Sequence, residues 1–66
     1  MKSSEFIQLI MRSKGLSQKE LARKLSTTQA TISRLVSDKY KISAHLRYKI
    51  VNELKYSFEY VFKEVD

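Results

Sequence analysis

Arg34 lies in a short segment, Thr28 to Ser37, that sets Gln29, Ala30, Ser33 and Ser37 beside it. Those residue types match the edges of base pairs. An arginine can donate two hydrogen bonds to guanine O6 and N7, a glutamine amide can pair with adenine, and alanine or serine can rest against a thymine methyl. The small side chains also let a helix backbone approach closely. Thr28, Gln29, Ala30, Ser33 and Arg34 are therefore the candidate base-reading set, with Thr31 less well placed. The same face also fits the solvated outside of an ordinary helical bundle, so the elements that would hold it decide between the two.

Behind that face, Ile32, Leu35 and Val36 recur at helical spacing, and stepping about 100° per residue turns them away from Arg34. A preceding stretch carries Leu21, Ala22 and Leu25 on one face. Ala22 is small where two helix axes must come close, and Ser26-Thr27-Thr28 is too short a link for parallel helices, so the pair is expected to cross steeply. Ser17 with Glu20 forms a capping box, Leu16 with Leu21 the matching staple, and Thr28 is the natural N-cap of the second helix. Two crossed helices of this kind are a helix-turn-helix, with the second helix delivered to a major groove.

The start of the first of these helices offers backbone N–H groups near Ser17, Gln18 and Lys19, and the Gln18 amide, to a phosphate. Beyond Val36 a polar, basic connector, Ser37 to Ile42, leads to Ser43, the N-cap of a further helix. Lys39, Tyr40, Lys41 and Ser43 would hold the neighbouring strand. These contacts position without reading sequence.

The flanks complete an all-α chain of five helices in a single domain, residues 1–66. The first helix is expected from about Ser4 to Lys14, with Phe6, Leu9 and Ile10 inward and Gly15 as a left-handed C-cap. The fourth runs from Ser43 to about Leu54, with Leu46, Ile50, Val51 and Leu54 inward. Ser57 caps a short fifth helix, Phe58 to about Lys63, whose Phe58 and Val61 are expected in the core. Tyr56, Tyr60 and Phe62 exceed what one short helix can bury, which makes them the candidate dimer contact.

Composition points the same way. Thirteen Lys and Arg against seven Asp and Glu leave +6 on a chain of 66 residues, the electrostatic footprint of a polyanion partner. The excess is uneven: residues 37 to 55 hold five basic and two acidic groups, whereas residues 56 to 66 hold one and three. Without cysteine there is no disulfide framework or thiolate metal site. His45, alone among its kind, reads as a surface helix residue with a phosphate contact as its functional option. No metal and no cofactor is expected. No nucleophile, base and orienting group form a recognisable set, so the chain does not read as an enzyme. No apolar run approaches the roughly 20 residues of a membrane span, and a cytoplasmic location without membrane contact is expected.

Taken together, Leu16-Ser17-Gln18 with Glu20-Leu21-Ala22, Thr28-Gln29 with Ile32 and Leu35, and Tyr56 to Phe62 resemble the Cro and C1-type repressor family from Phe6 to Phe62. Residues 29 to 56 are also similar to the LacI-type headpiece, but that family begins at the helix-turn-helix, whereas here a helix precedes it. The Cro-like resemblance implies a compact five-helix, lambda-repressor-like DNA-binding fold that reads double-stranded DNA with its third helix. Repression by operator occupancy is the expected mode, since little chain follows the fifth helix. A homodimer on a roughly palindromic operator would follow from two recognition helices one DNA turn apart. The alternative is a protein-interaction module on the same fold, an antitoxin or antirepressor, with DNA binding secondary. Three features depart from the family pattern. Ser26 stands where the turn has Gly, Met11 and Val36 replace an Arg–Glu pair, and the Ser37 to Lys41 connector lacks its usual Gly.

Overall fold

Hydroxyl side chains open three of the helices, and the chain folds around where they do so. The computed structural model describes residues 1–66: α1 (Ser3–Lys14), α2 (Gln18–Lys24), α3 (Gln29–Val36), α4 (Ala44–Leu54) and a closing π-helical segment, Tyr60–Glu64. The Ser17 hydroxyl accepts the Glu20 N–H, and Thr28 and Ser43 accept those of Thr31 and Leu46. Each cap satisfies a backbone donor that the first turn leaves without an intrahelical partner. α1 starts one residue earlier than expected, because Glu5 Oε1 accepts the Lys2 N–H at 3.0 Å and extends the first turn.

The helices end on left-handed residues. Gly15 takes φ 64° after α1, while Ser26, Asp38 and Lys55 take φ 52°, 66° and 62° after α2, α3 and α4. At the turn between α2 and α3, Ser26 N–H reaches Arg23 O at 3.2 Å and Thr27 N–H reaches Ala22 O at 2.9 Å. Those two bonds are the Schellman pair that ends a helix with a left-handed residue. Ser26 therefore keeps the conformation that glycine adopts freely, at about 1 kcal/mol. The connector after α3 likewise keeps a left-handed corner without glycine. Asp38 stands at that corner, and its carboxylate accepts from the Ser4 hydroxyl at 3.0 Å and pairs with Lys2 at 3.4 Å.

α3 packs on both α1 and α2, and α4 packs on the closing segment. Phe6, Ile7, Ile10, Leu21, Leu25, Ile32, Ile50 and Val61 are wholly buried between them. Ile7 rather than Leu9 takes the deep position on α1, because α1 is covered along a wider arc than one stripe; Leu9 is half-buried. Val51 is half-buried too, and Met11 and Val36 pack apolar against the core, where an ion pair would have had to be desolvated. Ile42 and Val65, in irregular segments, complete the core.

One core expectation is corrected. Phe58 is 48% exposed, because Val61 and Val65 take the inward face of the closing segment and leave Phe58 and Phe62 on the other. The two rings stack at 4.3 Å, with Tyr48 of α4 4.8 Å from Phe62. Tyr56 and Tyr60 instead lie edge-on to Phe6 at 5.3 and 5.7 Å. A Ser57 cap is present, its hydroxyl 3.4 Å from the Tyr60 N–H, but the helix widens to π geometry at Tyr60.

Lys55 and Asp38 should respond differently to glycine. Lys55→Gly relieves a left-handed side chain that makes no hydrogen bond or ion pair, and is expected to stabilise by about 0.5–1 kcal/mol, raising Tm by about 4 °C. Asp38→Gly relieves the same strain but loses the Ser4 and Lys2 contacts, so its thermal melt should show no gain.

Candidate nucleic-acid interface

Ile32 is wholly buried and Leu35 nearly so, which fixes the rotation of α3 about its own axis. With the back of the helix held, Gln29, Ala30, Ser33 and Arg34 are exposed together on the front, Thr28 is exposed at its start, and Thr31 is half-buried. The front face is thus one continuous strip. Its shape suits a groove wide enough to admit a helix. Thr28 also serves the fold, since its hydroxyl accepts the Thr31 N–H at 3.2 Å and lies 3.0 Å from the Thr31 hydroxyl.

A shallow cleft joins this strip to the connector. Thr31, Arg34, Leu35, Tyr40, Lys41, Ser43 and Leu46 line it, so Arg34 shares one surface with three of the residues expected to hold phosphate. Lys39 and Tyr40 are exposed alongside, and the ion pairs of the molecule, Lys2–Asp38 and Lys63–Glu59, leave Arg34, Lys39 and Lys41 unpaired. Ser43 contributes its position rather than its hydroxyl, which accepts the Leu46 N–H at 3.2 Å. The first turn of α4 still points its free N–H groups, and exposed His45, outward.

At α2 the set expected to grip phosphate is only partly free. Glu20 Oε1 accepts the Ser17 N–H at 2.9 Å, and the Ser17 hydroxyl accepts in return from Glu20 N–H at 3.1 Å. Ser17 is therefore consumed as a cap, while the Gln18 and Lys19 side chains remain available, Gln18 half-buried and Lys19 exposed. The hydrogen bond from the Ser17 backbone, then that from its side chain, holds the Glu20 carboxyl below the usual carboxylate range.

Not all of the positive charge faces outward. The Arg47 guanidinium donates to Ile42 O at 2.9 Å, Val61 O at 2.5 Å and Val65 O at 2.6 Å. Lys49 reaches the Ser26 carbonyl at 3.1 Å. Neither role is visible in the sequence, because backbone carbonyls carry no residue identity to search for. The C-terminal aromatics divide as well: Tyr56 and Tyr60 are half-buried against Phe6, and Phe62 alone of the three joins the exposed rings of Tyr48 and Phe58. No helix is long and apolar enough to cross a membrane.

A family model described as Helix-turn-helix matches residues 7–61, most of the chain, from within α1 to the start of the closing segment. No curated protein and no solved structure matches.

The closed cap at Ser17 carries a pH signature. Because folding lowers the Glu20 pKa, its contribution is complete above the ordinary carboxylate range and is lost as pH falls through the lowered value. Carbon-detected NMR should show Glu20 titrating below the usual glutamate range, and Ser17→Ala should move it back toward that range. A Glu20 midpoint within the usual glutamate range would mean the box is open in solution.

Proposed function

The chain belongs to the Cro/C1-type helix-turn-helix family and is a DNA-binding regulator, and from that premise we propose that it is a cytoplasmic, sequence-specific repressor acting by operator occupancy. α3 enters the major groove of double-stranded DNA. Arg34 and Gln29 read base edges, while Thr28, Ala30 and Ser33 tune the fit against neighbouring bases. Gln18 and Lys19 at the start of α2, near the Ser17 cap, meet one backbone, and Lys39, Tyr40, Lys41 and the α4 start at Ser43 meet the other. The observation that carries this reading is the single surface on which Arg34 adjoins Tyr40, Lys41 and Ser43, with no intramolecular ion pair competing for its charges.

The same reading includes a two-fold pair of chains on a roughly palindromic operator. Two recognition helices about one DNA turn apart need a contact between the two chains, and the aromatic closing segment is the surface we assign to it. Phe62, with Tyr48 and Phe58, offers an apolar face there, while Tyr56 and Tyr60 lie against Phe6. That same face is what favours the second reading, a module that grips a protein partner with DNA binding secondary. Selection of bound duplexes from a random pool separates the two. A symmetric motif supports the repressor, whereas no enrichment at low salt supports the protein-binding module.

Once a site is known, two substitutions assign the roles. Arg34→Ala is expected to cost about 1–3 kcal/mol on that site and to relax preference at one base pair. Lys41→Ala is expected to weaken selected and random duplexes alike and to flatten the salt dependence by about one phosphate contact. Equal losses on both duplexes for Arg34→Ala would remove it from base reading.

A further inference from the structure

The connector between α3 and α4 has no regular structure and no glycine, yet it carries Lys39, Tyr40 and Lys41. It is clamped at both ends. At the first, Asp38 is held by the Ser4 hydroxyl and by Lys2. At the second, both backbone groups of Ile42 are occupied: its N–H donates to the Ser3 hydroxyl at 3.0 Å, and its carbonyl accepts from Arg47 Nε at 2.9 Å. Ser3 in turn donates to the Asp66 carbonyl, and the other end of Arg47 binds the carbonyls of Val61 and Val65. Those two carbonyls lie at the end of a helical segment, where no intrahelical donor remains to satisfy them. A ring of hydrogen bonds therefore runs from Ile42 through Arg47 to the C-terminal residues and back through Ser3. The three exposed residues lie between the clamps.

We propose that Arg47 is a positioning residue for DNA contact: by tying the Ile42 carbonyl to those of Val61 and Val65, it holds the Lys39–Lys41 connector beside Arg34. The inference rests on the DNA-binding reading above and adds to it a half-buried residue that touches no DNA. An ordinary interior role for Arg47 would affect stability only. Positioning adds a second consequence, that loosening Arg47 releases phosphate contacts made by other residues. Lysine at this position keeps the charge but has one nitrogen on a flexible stem, and it cannot span three carbonyls as the planar guanidinium does. Arg47→Lys thus separates loss of geometry from loss of charge.

The test measures binding of the full chain to its selected duplex and to random duplex across salt, well below the thermal midpoint of each variant. For Arg47→Lys we expect affinity for both duplexes to fall by about the same factor. The slope of log K against log salt should flatten by about 0.9 for each of the one or two phosphate contacts released. Amide exchange at Ile42, whose N–H is held by the Ser3 hydroxyl, should quicken while that of α3 does not. In a Lys39→Ala/Lys41→Ala background the same substitution should leave the slope unchanged, because the contacts it acts through are gone. A folded Arg47→Lys protein with the parental slope and parental connector exchange overturns the proposal, as does a slope change undiminished in the double-alanine background. If Arg47→Lys loses its helical signal, Ser3→Ala decides: it removes the acceptor of the Ile42 N–H and should flatten the slope, and a parental slope refutes the clamp. If the parent chain binds no duplex at low salt, the repressor reading fails. Connector exchange then judges the clamp separately: quickening in Arg47→Lys upholds it, and unchanged exchange rejects it.

Discussion

The rotation of one eight-residue helix is the constraint on which the rest of the molecule depends. An isolated helix of that length does not persist in water, since nucleation is unfavourable and few propagating bonds follow it. α3 exists because Ile32 and Leu35 are inserted between α1 and α2, each burial contributing about 1.5–3 kcal/mol. The same insertion decides which residues face out. A turn of the helix by one residue would place Ser33 in the core and Leu35 in solvent, so the energy that makes the helix also specifies its exposed strip. Exposure of Gln29 and Arg34 on the front of α3 therefore comes with no separate cost of orientation. Ala22 contributes by being small where α2 meets α3, and Met11 and Val36 by packing without charges that would have to be desolvated.

A second requirement follows from packing helices this short. Four corners must be turned in 66 residues, and each leaves carbonyls that the preceding helix cannot satisfy. The molecule has one glycine, so three corners use Ser26, Asp38 and Lys55 in left-handed conformations. Two of those three recruit cationic side chains: Lys49 donates to the Ser26 carbonyl, and Lys2 pairs with the Asp38 carboxylate. At Lys55 no such partner is present, and that corner retains its strain uncompensated. Arg47 does the same work for the closing segment, and the strength of charge-assisted bonds to carbonyls explains why a guanidinium rather than a hydroxyl occupies the position.

How much can be read from the chain itself depends on how local each cause is. Ser17, Thr28 and Ser43 are legible as caps because a hydroxyl and the N–H it accepts are only three residues apart. The stripes of α3 and α4 are legible because period alone defines a face. Ile7 and Leu9 show where this stops: both lie near the same stripe, and which goes deeper depends on how α1 is covered by elements far along the chain. Phe58 shows it again, since the change to π geometry at Tyr60 alters which residues of the segment align, and nothing in the local pattern marks that change. Ile42 and Val65 are lone apolar residues with no period around them. Among the site residues, exposure of Gln29, Ser33 and Arg34 follows from the stripe behind them. The consumption of the Ser17 N–H is implicit in the capping box that the sequence displays, since an N–H donated to Glu20 is not free for a phosphate.

Net charge is a poor guide to where a polyanion would lie until each cation is followed to its partner. The connector and α4 carry a basic excess in sequence, yet Arg47 is turned onto three carbonyls and Lys49 onto a fourth. A charge so engaged still adds to the long-range field but has fewer donors left for a phosphate. What remains beside Arg34 is a short set, Lys41 with the α4 start at Ser43 and exposed Lys39 next along the connector. A short set makes geometry matter more than number. Were these few cations to hold phosphates, the loss of any one contact would remove a large share of the sequence-independent binding, and contacts borne on an irregular connector would be the easiest to lose. The clamps at Asp38 and Ile42 meet that weakness, and they do so with groups from α1, α4 and the C-terminal residues at once. The C-terminal residues, acidic in sequence, are in this way part of how the connector beside Arg34 is held.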